Sequence, residues 1–280
     1  MSDERVYCSD LCLASGEPML GTATQVDVWL LLEYKPVWRA KAVENNDLAA
    51  ATKGWIDRTV AAVEARDAKA RVQFVRRPEL DTALTTLFVS ESGTLRRFEG
   101  EGYAEIQHLD IDAAPMDEVD EAQYFVCTNG QRDLCCARYG LPVYAELRAL
   151  VGGRAWQTTH LGGHRFAPNV LTLPQGAIYG RVFAEDVAEF TTVIERGELS
   201  TRHLRGRAAY PPEAQVAETL VDGNLASVEG GAVTFRTANG LTTVNVEPGT
   251  PYEIIASCGK TETEAVVPLQ LAARLRPETA

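Results

Sequence analysis

The chain has 280 residues, 45% of them hydrophobic and 24% charged, with a net charge of −12. These fractions are those of a globular protein and argue against disorder; the length accommodates two compact domains and an extension. The acidic balance argues against a nucleic-acid partner, which needs a positive field.

No apolar run approaches the roughly 20 residues of a bilayer span; the longest, Val28 to Leu32, has the length of a strand. Met1-Ser2-Asp3-Glu4-Arg5 is polar and has no apolar signal core. The expectation is a cytoplasmic protein with no membrane partner. In a reducing compartment its six cysteines read as ligands, catalytic thiols or buried small hydrophobes rather than disulfides.

Val26 to Glu33 opens the first segment as a β-prone apolar stretch. Leu48, Ala51, Trp55, Thr59 and Val63 recur at helical spacing behind the caps Asn45-Asn46-Asp47, which predicts an amphipathic helix over about 48–66. Arg71 to Arg76 and Leu84 to Ser90 read as strands, and Gly93 turns the chain into Thr94 to Phe98. A boundary falls at Asp110 to Asp120, which is acidic, contains Pro115 and has little to pack.

The order then repeats. Tyr124 to Val126 reads as a strand, and Leu141 to Val151 as a helix with proline in its first turn and Gly152-Gly153 at its end. Trp156 to His160, Val170 to Leu173 and Ala177 to Val182 read as strands, and Ala184 to Arg196 as a helix stopped by Gly197. The β-α-β-β-β-α order suits a compact α/β unit with a mixed sheet, and two similar orders in tandem indicate an internal duplication. Beyond a helix at Pro211 to Leu220 the pattern turns to short strands, with a hairpin signal at Asn239-Gly240. The segments are 1–115, 116–212 and a β-rich appendage, 213–280.

The chemistry concentrates in the middle segment. Cys127 and Cys136 have eight residues between them, and His160 and His164 have three, in a chain with only four histidines. Two soft sulfurs and two imidazoles suit an iron–sulfur cluster or zinc. Structural zinc usually takes cysteines two to four residues apart, so the long loop tilts the reading toward the larger cluster without deciding it. A thiol–disulfide oxidoreductase would want Cys-x-x-Cys at a helix start, and no such pair exists: Cys8 and Cys12 read as part of a loose terminus, and Cys135 and Cys136 are adjacent. Nothing indicates the carboxylate pair of a glycoside hydrolase. His108 and His203 read as surface residues, and Cys258 as a core or strand-end thiol of Tyr252 to Ala256.

The segments Cys127…Arg132-Asp133-Leu134-Cys135-Cys136 and His160-Leu161-Gly162-Gly163-His164-Arg165-Phe166-Ala167 resemble the signature of the sucrase/ferredoxin-like family. That family includes thioredoxin-like ferredoxin domains with a bis-histidinyl [2Fe–2S] cluster. A looser likeness takes in Cys8, Gly21-Thr22-Ala23 and Trp29 to Glu33 and thins beyond about 215.

The resemblance implies a thioredoxin-like domain over 116–212, a cluster-free copy over 1–115, and Cys127, Cys136, His160 and His164 as ligands of one [2Fe–2S] cluster. It makes Cys136 rather than Cys135 the second thiolate. It implies an electron carrier rather than an enzyme, and a redox partner protein. Around the ligands, Gly162 and Gly163 are expected to allow close backbone approach. Thr128, Thr158 and Thr159 are expected to donate to sulfur, and Arg132 or Arg165 to offset added charge. Asp133 reads as a cap or an arginine partner.

Overall fold

A computed structural model describes residues 6–260 and 262–272, so the N-terminal pentapeptide and residues 273–280 of the appendage lie outside the described residues. The first half runs α1 (Cys8–Ser15), β1 (Val28–Glu33), α2 (Ala50–Glu64), β2 (Ala70–Arg76), β3 (Leu84–Glu91), β4 (Thr94–Glu101), α3 (Tyr103–Ile106) and β5 (Asp117–Glu118). The second half runs β6 (Gln123–Cys127), α4 (Leu134–Val151), β7 (Ala155–Thr158), β8 (Val170–Leu173), β9 (Ala177–Tyr179), α5 (Val187–Glu195) and β10 (Leu204–Arg207).

In the first half β1 lies between a parallel β2 and an antiparallel β3, with β4 beyond, giving the order β2-β1-β3-β4. The second half repeats it as β7-β6-β8-β9. The fold is therefore α/β, with a thioredoxin-like strand order occurring twice. β2 and β7 pair antiparallel through Val75↔Thr158 and Arg76↔Gln157, which joins both halves into one ten-stranded sheet.

Strand β1 reads as a continuous apolar run because both of its faces are covered, and all six of its residues are buried. Val28, Leu30 and Leu32 pack beneath Trp55, Ile56 and Val63 of α2. Trp29 and Leu31 face the other way, into a core shared with Phe125, Cys127 and Trp156. Tyr124 and Val126 of β6 pack beneath α4 and α5. The sheet curls so that its helix-free faces meet. Phe88 stands edge-on to Phe125 and Trp156, with ring centroids 5.6 and 5.3 Å apart. Each such ring removed from water is worth about 1.5–3 kcal/mol.

The appendage comprises α6 (Pro212–Ala217), β11 (Asn224–Glu229), β12 (Ala232–Thr237), β13 (Gly240–Pro248), β14 (Tyr252–Ile254), β15 (Glu264–Val266) and β16 (Leu269–Leu271). It forms a four-stranded sheet, β11-β12-β13-β16, and a separate β14-β15 pair. The β12–β13 hairpin closes at Thr237↔Gly240, as the Asn-Gly signal indicates. Among the described residues no helix is long and apolar enough to cross a membrane.

Three local readings need correction. Helix α4 begins at Leu134, not Leu141, because the Asp133 side chain caps it by accepting from the Cys135 N–H at 3.0 Å; Pro142 lies inside the helix. Strand β7 ends at Thr158, so His160 stands in a loop. His203 is buried, its ring 6.1 Å from that of Phe190, rather than on the surface.

Candidate metal centre

Two features of backbone geometry, a strand end and a helix start, bring the first thiols together. Cys127 closes β6 and Cys136 sits in the first turn of α4, and both are buried. Gly140, one turn along α4, allows the close approach: a Cβ there would overlap the Cys127 carbonyl oxygen. The His160 loop returns to the same place. His160 Nδ1 stands 4.0 Å from Cys127 Sγ and 3.7 Å from Cys136 Sγ, and the three donor atoms lie within 4.8 Å of one another.

His164 stands beside this triad. Its ring centroid is 5.2 Å from that of His160, but its Nδ1 faces the Asp133 carboxylate at 3.4 Å and Cys8 Sγ at 3.8 Å. Cys135 turns away from the triad. Its Sγ lies 3.5 Å from Cys8 Sγ and 3.2 Å from Cys258 Sγ.

The loop between the histidines is held from both sides. Gly162 and Gly163 adopt φ of +94° and +65°, a left-handed region open to glycine. Behind them Arg205, 1% exposed, donates to Gly162 O at 2.9 Å, to Asn169 Oδ1 at 2.8 Å and to Thr22 O at 2.6 Å. From the first half, Arg71 and Gln73 of β2 donate to the His160 carbonyl at 2.9 and 3.2 Å.

Thr128, Thr158 and Thr159 do not serve sulfur. Their hydroxyls bond Gln157, the Phe74 carbonyl and Gln73, since the paired strands present those groups nearer. Arg165 is committed to the buried Glu17 at 2.8 Å. Arg132 lines a groove of ≈ 330 Å³ together with Arg71, Gln73, Asn129 and His160.

The protonation pattern favours ligation. Cys127 is held well below the ordinary thiol value by a hydrogen bond from Cys136 and by His160, which outweigh burial; Cys136, which keeps the shared proton, is pushed up. Burial pulls His164 down to about 4, leaving a neutral imidazole with a free lone pair at neutral pH. Burial opposes the Asp133 charge, but His164 and the N–H groups of Cys135 and Cys258 prevail and lower its pKa.

A sequence model of the sucrase/ferredoxin-like family matches residues 19–206. The chain belongs to the sucrase/ferredoxin-like family. The matched range holds both cysteine–histidine segments and both thioredoxin-like units of this family member. The chain is also 32% identical over 112 residues to Altered inheritance of mitochondria protein 32 of Meyerozyma guilliermondii, a match covering 36% of this chain and 39% of that protein. The sucrase/ferredoxin-like chain thus spans about two fifths of the length of that curated relative. Among solved structures, a thioredoxin-like [2Fe–2S] ferredoxin from Aquifex aeolicus is similar at 21% identity and a TM-score of 0.29, covering 33% of this chain and 97% of that one.

Local patterning did not reveal three participants in this region. Cys8 lies at the buried start of helix α1 rather than in a loose terminus, because Cys135 and the 164–166 turn cover it. Cys258 lies beyond β14, in a loop against Asp133, whose carboxylate accepts its N–H at 3.0 Å. Arg205 supports the histidine loop from β10. The only sequence signal for Cys8 was its place in the looser family likeness.

Proposed function

We propose that the protein is an electron carrier that holds one [2Fe–2S] cluster through Cys127, Cys136, His160 and His164 and exchanges electrons with a protein partner at the groove beside His160. The observation that carries this reading is the convergence of two buried thiols and an imidazole nitrogen within 4.8 Å, behind the His160 that lines that groove. The donor set fits the group: two soft sulfurs, one already inclined to the thiolate, with the neutral imidazole of His164 close by. When bound, the cluster supplies a one-electron couple.

The rest is done by the chain. Asp133 faces His164 Nδ1 at 3.4 Å and fixes the ring, so that Nε2 would be the nitrogen left to hold the cluster, as with a carboxylate behind a metal-bound histidine. Arg71 and Gln73 anchor the His160 backbone. Two imidazoles in place of two further thiolates bring two fewer negative charges, so an added electron is less strongly opposed than at an all-cysteine site. In this reading residues 1–115 hold no cluster of their own; β2 serves as the wall against which the histidine loop is set.

A single zinc ion is the second reading. The Sγ–Nδ1 separations of 3.7 and 4.0 Å favour it, because a tetrahedral zinc with ordinary bond lengths sets such donors about 3.6 Å apart. Anaerobic reductive titration followed in the visible separates the two. The expected result is reversible uptake of one electron per chain with bleaching of the absorption. A protein that carries stoichiometric zinc and takes up no electron overturns the electron-carrier reading.

A further inference from the structure

Beyond the ligands of the proposed cluster, three more cysteines meet in one place. Cys8 comes from α1, Cys135 from the first turn of α4 and Cys258 from the loop after β14. Their sulfurs form a triangle with edges of 3.5, 3.2 and 3.7 Å. The Asp133 carboxylate closes the group, 3.8 Å from Cys8 Sγ, and all four donor atoms lie within 4.8 Å of one another. Cys8, Cys135 and the Asp133 side chain are buried, and Cys258 is half-buried.

From this geometry we propose a second metal site: a single tetrahedral ion of the zinc type bound by Cys8, Cys135, Cys258 and Asp133. Zinc–sulfur bonds of about 2.3 Å in a tetrahedron set the sulfurs about 3.8 Å apart, close to the edges observed. A disulfide would join two of the thiols and leave the third without a partner, whereas one ion takes all three. Hydrogen bonds reach two of the sulfurs: the Ser9 hydroxyl donates to Cys135 Sγ at 3.2 Å and the Cys8 N–H to Cys258 Sγ at 3.5 Å. Binding displaces the protons that the thiols carry to solvent.

The fold supplies an independent reason for such a clasp. Helix α1 has eight residues, below the roughly 12–15 that an isolated helix needs even for marginal stability. Among the described residues β14 and β15 pair only with each other, and an isolated two-stranded pair is marginal in water. Each of these two weak elements delivers one cysteine to the same point on α4, from positions 250 residues apart. An ion there fastens both ends of the described chain to the helix that carries Cys136.

The test uses the full chain purified from cells supplied with both iron and zinc. The expected result is one zinc per chain, with a zinc-edge X-ray absorption shell of three sulfurs near 2.3 Å and one oxygen near 2.0–2.2 Å. Cys8→Ser and Cys258→Ser should each weaken zinc binding at least a hundredfold in competition with a chromophoric chelator, with iron content and visible spectrum unchanged; Cys127→Ser should leave the zinc in place. The absorption measurement on the unaltered chain decides the matter even if a cysteine variant fails to fold. Wild-type protein containing iron but no zinc, or a shell without three sulfurs, overturns this inference alone. Zinc lost in Cys127→Ser and retained in Cys8→Ser would move the ion to the first site and overturn both this inference and the electron-carrier reading.

Discussion

Alanine at Gly163 should lower stability by about 2–4 kcal/mol, far more than alanine at a glycine of similar backbone conformation elsewhere. Gly163 has φ +65°, where a Cβ costs roughly 1–2 kcal/mol. That Cβ would also stand 2.8 Å from Cζ of Arg205. Arg205 cannot withdraw without giving up its bonds to Gly162, Asn169 and Thr22, and forcing extra volume into a packed site adds roughly 1–3 kcal/mol. Gly197 provides the comparison: its φ is +76°, but nothing lies within 4 Å of its Cβ position. Alanine there meets the conformational cost alone, offset by about 0.4–1 kcal/mol of unfolded-chain entropy, for a net loss of about 1 kcal/mol. Urea unfolding of both variants measures the difference, and metal content should fall in Gly163→Ala only. Equal destabilisation would refute the claim that Arg205 forms a wall behind the histidine loop.

Three further outcomes follow from the same geometry. Arg71→Ala removes a charged donor from the His160 carbonyl and should lose about 1.5–3 kcal/mol in urea unfolding; Gln73→Ala should lose less, and the reverse order would show that Gln73 is the main anchor. Cys136→Ser should empty the first site of iron while Cys135→Ser leaves it filled, read by iron per chain; the opposite result transfers the ligand role by one residue. Glu218 has its carboxyl pushed up to about 7 by burial, which outweighs the Arg207 charge and the Arg207 backbone N–H that it accepts at 3.0 Å. A raised carboxyl pKa gives stability that is fully present below about 4.5 and lost as pH rises through about 7. At 1.36 kcal/mol per unit this amounts to about 3 kcal/mol, so Glu218→Gln should flatten the stability profile between pH 4.5 and 7.5, and an unchanged profile would remove Glu218 as its source.

The sequence revealed features whose cause is local. The unbroken apolar run of β1, the helical spacing of α2 and the Asn-Gly hairpin each depend on near neighbours, and each lies where its pattern indicates. The start of α4 was missed because the segment before Pro142 holds Gly140 and two cysteines, whereas the decisive signal was the Asp133 cap. Features that depend on distant pairing left no local trace. Nothing near Arg205 marks a fully buried guanidinium, and nothing near Val75 indicates that β2 will pair with β7. The candidate site divides along the same line. Spacing singles out Cys127, Cys136, His160 and His164, of which the structure gathers the first three with His164 beside them, but Cys8 and Cys258 reach Cys135 only through tertiary packing.

The most direct test of the central claim is the iron, acid-labile sulfide and zinc content of the full chain purified without air, with its electron paramagnetic resonance spectrum after one-electron reduction. The account requires two irons and two sulfides per chain, a red-brown colour and the signal of a reduced [2Fe–2S] centre. A colourless protein without sulfide, with zinc held at Cys127, Cys136 and His160, would contradict it.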